Sequence, residues 1–296
     1  MQRRELEMEG GSLLYEIRQG KILVIGLQGG GAEVYVPPSI EGMPVSVIER
    51  KAFLSRKNLR KVQLPETVEE IGDWAFAYCD GLEEVCLPHR QIQFGRAVFL
   101  DCGRLRKIRF PEGDEQTARL LAAAVTAFES YYLLDLMEVG SREWLEKWDA
   151  RLLAVLQAPD SEGYAKQVLC GEEDYGSTDF GAFIRKKRKS KVRLALLRLL
   201  CPRGLSSAVR KELEEYLREH TKGCESDEAW QVVLKEHGSD RACYSLFAKI
   251  GCITEENFQD LIAEIGEDKP EMRAYFMRYK EENIGYTDFF DALALD

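Results

Sequence analysis

Arg185-Lys186-Lys187-Arg188-Lys189-Ser190-Lys191 places six cationic side chains within seven residues. Such a run could contact phosphates, each contact displacing counterions and making binding fall as salt rises. It has no interleaved aromatic rings on which bases would stack. It also lies in an acidic stretch: residues 112–296 carry 25 basic and 36 acidic side chains, whereas residues 1–111 carry 16 and 15. The competing reading is a solvated helix end or link that answers Glu172, Glu173, Asp174 and Asp179. A nucleic-acid or acidic-partner site on Arg185, Lys186, Lys187, Arg188, Lys189 and Lys191 is therefore the second hypothesis.

Other reactive side chains are scattered. The eight cysteines, at 79, 86, 102, 170, 201, 224, 243 and 252, form no C-x-x-C pair and read as reduced thiols. His89, His220 and His237 are the three histidines. The spacings from His220 to Cys224 and from His237 to Cys243 match no zinc ribbon or finger. There is no G-x-S-x-G, no Walker lysine loop and no H-E-x-x-H. Gly29-Gly30-Gly31 follows a strand but opens no helix, so it is not a phosphate loop. No catalytic residue, cofactor site or metal site is assigned, and the expected function is non-enzymatic.

The elements that position these residues are clearest between 48 and 111, where a 23-residue pattern is written three times. Ile48, Ala52-Phe53, Leu59, Val62 and Leu64-Pro65 are followed by Ile71, Ala75-Phe76, Leu82, Val85 and Leu87-Pro88. Phe94, Val98-Phe99, Leu105, Ile108 and Phe110-Pro111 complete the set. A fixed period of this length marks a solenoid whose coils bury their apolar faces only against one another. Phe53, Phe76 and Phe99 should stack as an interior spine.

Stepping by 23 also sorts the charges into rows that run plus, minus, plus: Arg60, Glu83, Arg106; Lys61, Glu84, Lys107; Arg50, Asp73, Arg96. In a parallel ladder these are cross-strand neighbours, where opposite charges favour pairing by roughly 0.2–1 kcal/mol per pair. The rows read as register marks more than as an anion-binding face. Cys79 and Cys102 occupy one slot on successive coils, about 4.8 Å apart along the stack. That separation permits a disulfide, although two small buried thiols are the simpler reading.

Upstream, Leu13–Ile17 and Lys21–Ile25 flank a turn at Gln19-Gly20 and predict a hairpin. Val34-Tyr35-Val36-Pro37 matches Val62-Gln63-Leu64-Pro65 at an offset of 28 residues, as an atypical first coil would. The stretch from Val68 to Pro88, with Ile71-Gly72, Ala75-Phe76, Cys79, Leu82, Val85 and Leu87-Pro88, resembles the BspA-like leucine-rich repeats of bacteria. The resemblance covers residues 34–111. In the first repeat it sets Glu49 in the glycine slot and Lys57 in the cysteine slot. It implies a right-handed leucine-rich-repeat solenoid and binding to proteins, and it carries over no catalytic residue.

Downstream the period becomes helical. Leu120, Leu121, Ala124, Val125 and Phe128 form a stripe that continues through Tyr131, Tyr132, Leu134 and Leu136, as a helix covering the open end of the solenoid. Ser141 starts a second helix with Trp144 and Trp148 in its core face. Asp179 starts another, and Val192 to Leu200 forms a further apolar run after the basic segment. Helices follow at 205–220, 226–237, 239–250, 254–265, 269–282 and 286–294. Two pairs repeat at an offset of 28–29 residues, and the second weakly resembles ankyrin-like repeats.

The expected fold is α+β and multidomain. A leucine-rich-repeat β-solenoid with an N-terminal hairpin cap (1–113) precedes an all-α domain of stacked helix pairs (114–296). The expected function is a protein–protein interaction or scaffolding module for an unknown protein partner. Its candidate face is Lys61, Gln63, Glu84, Cys86, Lys107 and Arg109. Neither nucleic acid nor a membrane is expected as a partner. No apolar run reaches the roughly 18–20 residues of a membrane span, and no apolar segment follows the N-terminal basic residues. A cytoplasmic location is expected, with surface exposure, as in some members of that family, as the alternative.

Overall fold

The computed structural model describes residues 3–9, 11–128, 130–164 and 179–284. Cys170, the acidic residues 172–174 and the helix expected at 286–294 lie outside the described residues. Contacts divide the chain into two compact units, Met1–Leu152 and Leu153–Asp296.

The first unit is a β-solenoid. Strands β1 (Arg4–Met8), β2 (Gly11–Arg18) and β3 (Lys21–Gly29) form an antiparallel meander. The β2–β3 turn is at Gln19-Gly20, both with positive φ, which suits the primed turns of tight hairpins. Then come β4 (Glu33–Tyr35), β5 (Ser39–Ile40), β6 (Met43–Ile48), β7 (Lys61–Gln63), β8 (Glu70–Ile71), β9 (Glu84–Cys86), β10 (Gln93–Phe94) and β11 (Lys107–Arg109). One sheet runs β1-β2-β3-β6-β8-β10, with β5 paired to β6; the other runs β11-β9-β7-β4. From β3 onward each coil gives one strand to either sheet, and coils pair in parallel.

The 23-residue step is the strand register. Val62 pairs with Val85 and Val85 with Ile108, and the 28-residue offset places Val34 on Val62. All four are buried. The rings of Phe53 and Phe76 stack with centroids 5.0 Å apart, and those of Phe76 and Phe99 at 5.6 Å. Each of the three is fully buried.

Between the sheets the coils are also tied by backbone. Lys51, Phe53 and Ser55 donate to the carbonyls of Asp73, Ala75 and Ala77, and Trp74, Phe76 and Tyr78 to those of Arg96, Val98 and Leu100. The geometry requires left-handed backbone at two places per coil. Lys51, Trp74 and Ala97 have φ of 63°, 55° and 51°, and Ser55, Tyr78 and Asp101 have 58°, 58° and 53°. A non-glycine residue there costs roughly 1–2 kcal/mol, which the inter-coil bonds offset. Gly95 answers a different constraint. A Cβ on it would lie 2.3 Å from the Asp73 nitrogen, so the close approach of successive coils demands glycine.

The thiols of Cys79 and Cys102 are free. Each donates to a carbonyl of the coil before it, Cys79 to Phe53 and Cys102 to Phe76, both at 3.0 Å. Burial pushes the two thiols up, to about 11 and about 12. In the first coil the same slot holds Arg56, which bonds the Leu27 carbonyl. Lys57, the expected occupant, is exposed and 4.0 Å from Asp80.

Helix α1 (Glu115–Thr126) packs against β11, as a cover for the last coil. Asp114 caps it by accepting from the Thr117 N–H at 2.7 Å. The helix stops short of the expected extent. The N–H groups of Ala127 and Phe128 both close on the Ala123 carbonyl, and Tyr131–Leu134 forms a separate 3₁₀ turn. This break lets Phe128 meet Trp148 edge-on at 4.9 Å. Trp144 and Trp148 of α2 (Arg142–Gln157) are buried and donate to the carbonyls of Leu133 and Leu120.

The second unit is helical: α3 (Phe180–Leu200), α4 (Ser207–Glu219), α5 (Glu228–Glu236), α6 (Arg241–Phe247), α7 (Glu255–Glu264) and α8 (Pro270–Asn283). The sequence suggested an interruption at the basic run. Instead α3 passes through it as one helix of 21 residues and packs on α4, α5 and α6. The 28–29-residue offset relates α5 to α7 and α6 to α8. Phe247 and Phe276 both lie 6.1 Å from Trp230, in one buried cluster.

Candidate functional site

The outward side chains of the four-stranded sheet fall into two rows. One is Glu33–Lys61–Glu84–Lys107 and the other Tyr35–Gln63–Cys86–Arg109. All six residues expected from sequence are brought together here. Glu33 and Tyr35 were not assigned to the face, because the first coil is longer than 23 residues. Their signal was the Val34–Pro37 match at offset 28, which needed only to be extended by one residue on its N-terminal side.

The charged row is largely occupied with itself. Lys61 reaches Glu84 at 3.1 Å, Arg109 reaches Glu84 at 3.0 Å, and Glu115, at the start of α1, accepts from Lys107 at 2.8 Å and Arg109 at 2.6 Å. Partial burial pushes the Glu84 carboxyl up. Hydrogen bonds from Arg109 and Lys61, with their charges, more than offset this and hold it below the usual carboxylate range. With Glu33 and Glu115 included, three acids face three bases, so the row presents no net charge. The expected register marks at Arg60–Glu83 and Asp73–Arg96 are also ion pairs, at 3.9 and 3.2 Å.

The second row is less committed. Gln63 is exposed. Tyr35 is 55% exposed, and its hydroxyl donates to Glu33 at 2.8 Å. Cys86 is half-buried; burial and the nearby Glu84 raise its thiol above the ordinary range, so it is a poor nucleophile. A shallow cleft of about 490 Å³ lined by Glu83, Glu84, Arg104, Arg106 and Lys107 adjoins the row.

In the second unit the basic run divides by helix face. Lys186 is exposed, and Arg185 lies 3.5 Å from Asp179. Arg188 and Lys191 turn inward. The Lys191 side chain is 3% exposed and its ammonium donates to Asp160 and the Ala158 carbonyl, both at 2.6 Å, and to the Leu156 carbonyl at 3.2 Å. Arg188 bridges Asp160 at 2.7 Å and Glu225 at 2.8 Å. Burial pushes the Asp160 carboxyl up, and the hydrogen bonds from Lys191 and Arg188 pull it further down, to a net position below the usual range. Asp160 was not legible as the partner, because nothing local marks a turn residue that pairs with a helix 31 positions later.

The histidines are dispersed. His89 stacks on Phe110, His220 stacks on Tyr216 and bonds its carbonyl at 2.8 Å, and His237 lies 3.5 Å from Asp240. Among the described residues no group of three or more His, Cys, Asp or Glu side chains could hold a metal ion. No helix among them is long and apolar enough to cross a membrane.

Parallel coils, the buried phenylalanine spine and the thiol–carbonyl links define a short leucine-rich-repeat solenoid. Residues 40–124 match the BspA type leucine rich repeat region in six copies, so the repeat segment is of that type. Among solved structures, the chain is similar to the leucine rich repeat protein TpLRR of T. pallidum, with 30% identity over 36% of this chain and 50% of that one, at a TM-score of 0.33. It is also similar to a leucine rich cell surface protein of Faecalibacterium prausnitzii, with 23% identity over 36% and 30% of the two chains and a TM-score of 0.31. A third is a leucine-rich repeat protein of Bacteroides ovatus, with 29% identity over 32% and 27% and a TM-score of 0.30. The chain spans half the length of TpLRR. Comparison with curated proteins gives no match.

Proposed function

We propose that the protein is a non-enzymatic interaction module that binds a protein partner through the exposed side of the four-stranded sheet. The single observation that carries this is the division of labour on that sheet. The charged row is paired across coils, while Gln63 is exposed on the parallel ladder beside Tyr35 and Cys86, whose side chains bond Glu33 and Glu84 of their own strands. The sheet's outermost strands are about 14 Å apart, whereas a specific interface wants roughly 800 Å² per partner. The sheet face alone therefore falls short of a full interface. The nucleic-acid reading of residues 185–191 is not favoured, because Arg188 and Lys191 are spent on Asp160 and Glu225.

Gln63→Arg tests this, because it places a bulky charge on the row while leaving the inward Val62 and the ion pairs intact. Affinity capture from the native host, read by mass spectrometry, should recover a protein with the wild-type chain and lose most of it with Gln63→Arg. Equal recovery of every captured protein by both would remove the sheet face as the site.

A further inference from the structure

The two sheets of the solenoid end differently at the N-terminal side. The longer sheet continues past the first coil, because β3 carries β2 and β2 carries β1. Among the described residues the four-stranded sheet stops at β4, whose one partner strand is β7. That pairing uses the Ala32 carbonyl, which accepts from Lys61 at 3.0 Å, and the Val36 N–H, which donates to Gln63 at 3.0 Å. In a parallel ladder alternate residues turn their backbone groups to opposite sides. The N–H and C=O groups of Glu33 and Tyr35 therefore face away from β7, along an open sheet edge.

Beside this edge lies a groove of about 640 Å³, lined by Leu6, Met8 and Glu9 at the β1 end and by Glu33, Tyr35 and Pro37 along β4. The groove exists because one sheet overhangs the other by two strands. Its lining has two carboxylates and no cationic side chain. It combines a backbone edge that no strand pairs among the described residues, apolar side chains and negative charge.

We propose that this groove receives an extended peptide of alternating apolar and basic side chains, which adds to β4 as a fifth strand of the smaller sheet. Strand addition takes its affinity from main-chain hydrogen bonds and its specificity from alternate side chains. Glu33 and Tyr35 share one face of β4, so the peptide's basic residues stand beside them, with Glu9 on the other wall of the groove, and its apolar residues turn to Leu6, Met8 and Val34. The site borders the exposed sheet face and shares Glu33 and Tyr35 with it, but it is defined by the backbone edge of β4 and stands whether or not Gln63 and Cys86 bind a partner.

The test uses the full chain and three capped pentapeptides: alternating lysine and valine, the same peptide with glutamate for lysine, and the lysine peptide N-methylated on the residues facing β4. Amide resonances are followed by titration. The lysine peptide should shift the Glu33 and Tyr35 amides saturably. N-methylation removes two backbone donors at about 1 kcal/mol each and should weaken binding at least about tenfold. Glu9→Gln with Glu33→Gln should weaken the lysine peptide several-fold, and the glutamate peptide should not bind. Several results would overturn the proposal: no saturable shift at Glu33 and Tyr35 with millimolar lysine peptide, equal affinity of the N-methylated form, or equal affinity of the glutamate form. So would shifts confined to Gln63 and Cys86, which place the peptide on the sheet face, or the same Glu33 and Tyr35 shifts on concentrating the chain alone, which make the edge a contact between copies.

Discussion

Phe76→Ala should destabilise the repeat unit by about 3–5 kcal/mol, more than truncation of either neighbouring ring. Phe76 is the middle of the three-ring spine, stacked on Phe53 at 5.0 Å and on Phe99 at 5.6 Å. Its loss opens a cavity between two coils instead of at one end. It also removes two ring contacts, each worth about 0.5–1.5 kcal/mol beyond buried area. A solenoid coil contacts only its neighbours, so the damage cannot be shared widely. Urea titration of the full chain, followed by a probe within the repeat unit, reports it. A double-mutant cycle between Phe53→Leu and Phe76→Leu should show coupling, whereas Phe53→Leu and Phe99→Leu should be additive. A Phe76→Ala loss below about 1 kcal/mol would mean that the coils repack without the spine.

Asp160→Asn is expected to cost about 3 kcal/mol in the helical unit, because it leaves the buried Lys191 ammonium without its carboxylate. The two carbonyls that Lys191 also contacts, at Leu156 and Ala158, remain and keep the loss at the low end. Asp160→Asn with Lys191→Met should recover most of it, since an apolar stem then fills the site with no charge to satisfy. The pair also sets an acid limb. The folded-state carboxyl lies below its ordinary value, so its contribution is fully present above the unfolded pKa of about 4. It is lost as the pH falls through the depressed folded value. The wild type should therefore lose stability in that window, and Asp160→Asn should show a flatter profile there. Urea titrations between pH 7 and pH 3 measure both; parallel profiles would remove Asp160 as the anchor.

How much of this was legible from sequence follows from how local each signal is. The 23-residue step encodes register directly, because parallel coils superpose like residues. That is why Lys61, Glu84 and Lys107 could be placed side by side, and why the stacking of the phenylalanines was foreseeable. The same step failed where the chain changes length or direction. Glu33 and Tyr35 sit in a longer first coil. The step from Cys79 does reach Arg56, which does the work of a cysteine by bonding a carbonyl of β3; the expectation of Lys57 there is one residue out of register. β1 went unread because its Arg-Glu-Leu-Glu-Met alternation is that of a solvated edge, with few apolar residues to mark it. In the helical half, α1 and the basic run misled for opposite reasons. The apolar stripe after Thr126 continues through a 3₁₀ turn, so periodicity outlasted the helix. The cationic run breaks the apolar pattern inside α3, so one helix read as two. Its inward and outward cations differ only in partners that lie far away in sequence.

On the proposed division of the sheet, the charged row holds the coils in register and the neighbouring row is left for recognition. Thermal unfolding of Glu84→Lys beside Gln63→Arg separates the two roles. Glu84→Lys sets a cation opposite Lys61 and Lys107 and against Arg109. It should cost about 2 kcal/mol and lower the midpoint by several degrees. Gln63→Arg should unfold within about a degree of the wild type, as surface changes away from structural contacts do. A Glu84→Lys chain that unfolds at the wild-type temperature would mean that the charged row does not hold the register.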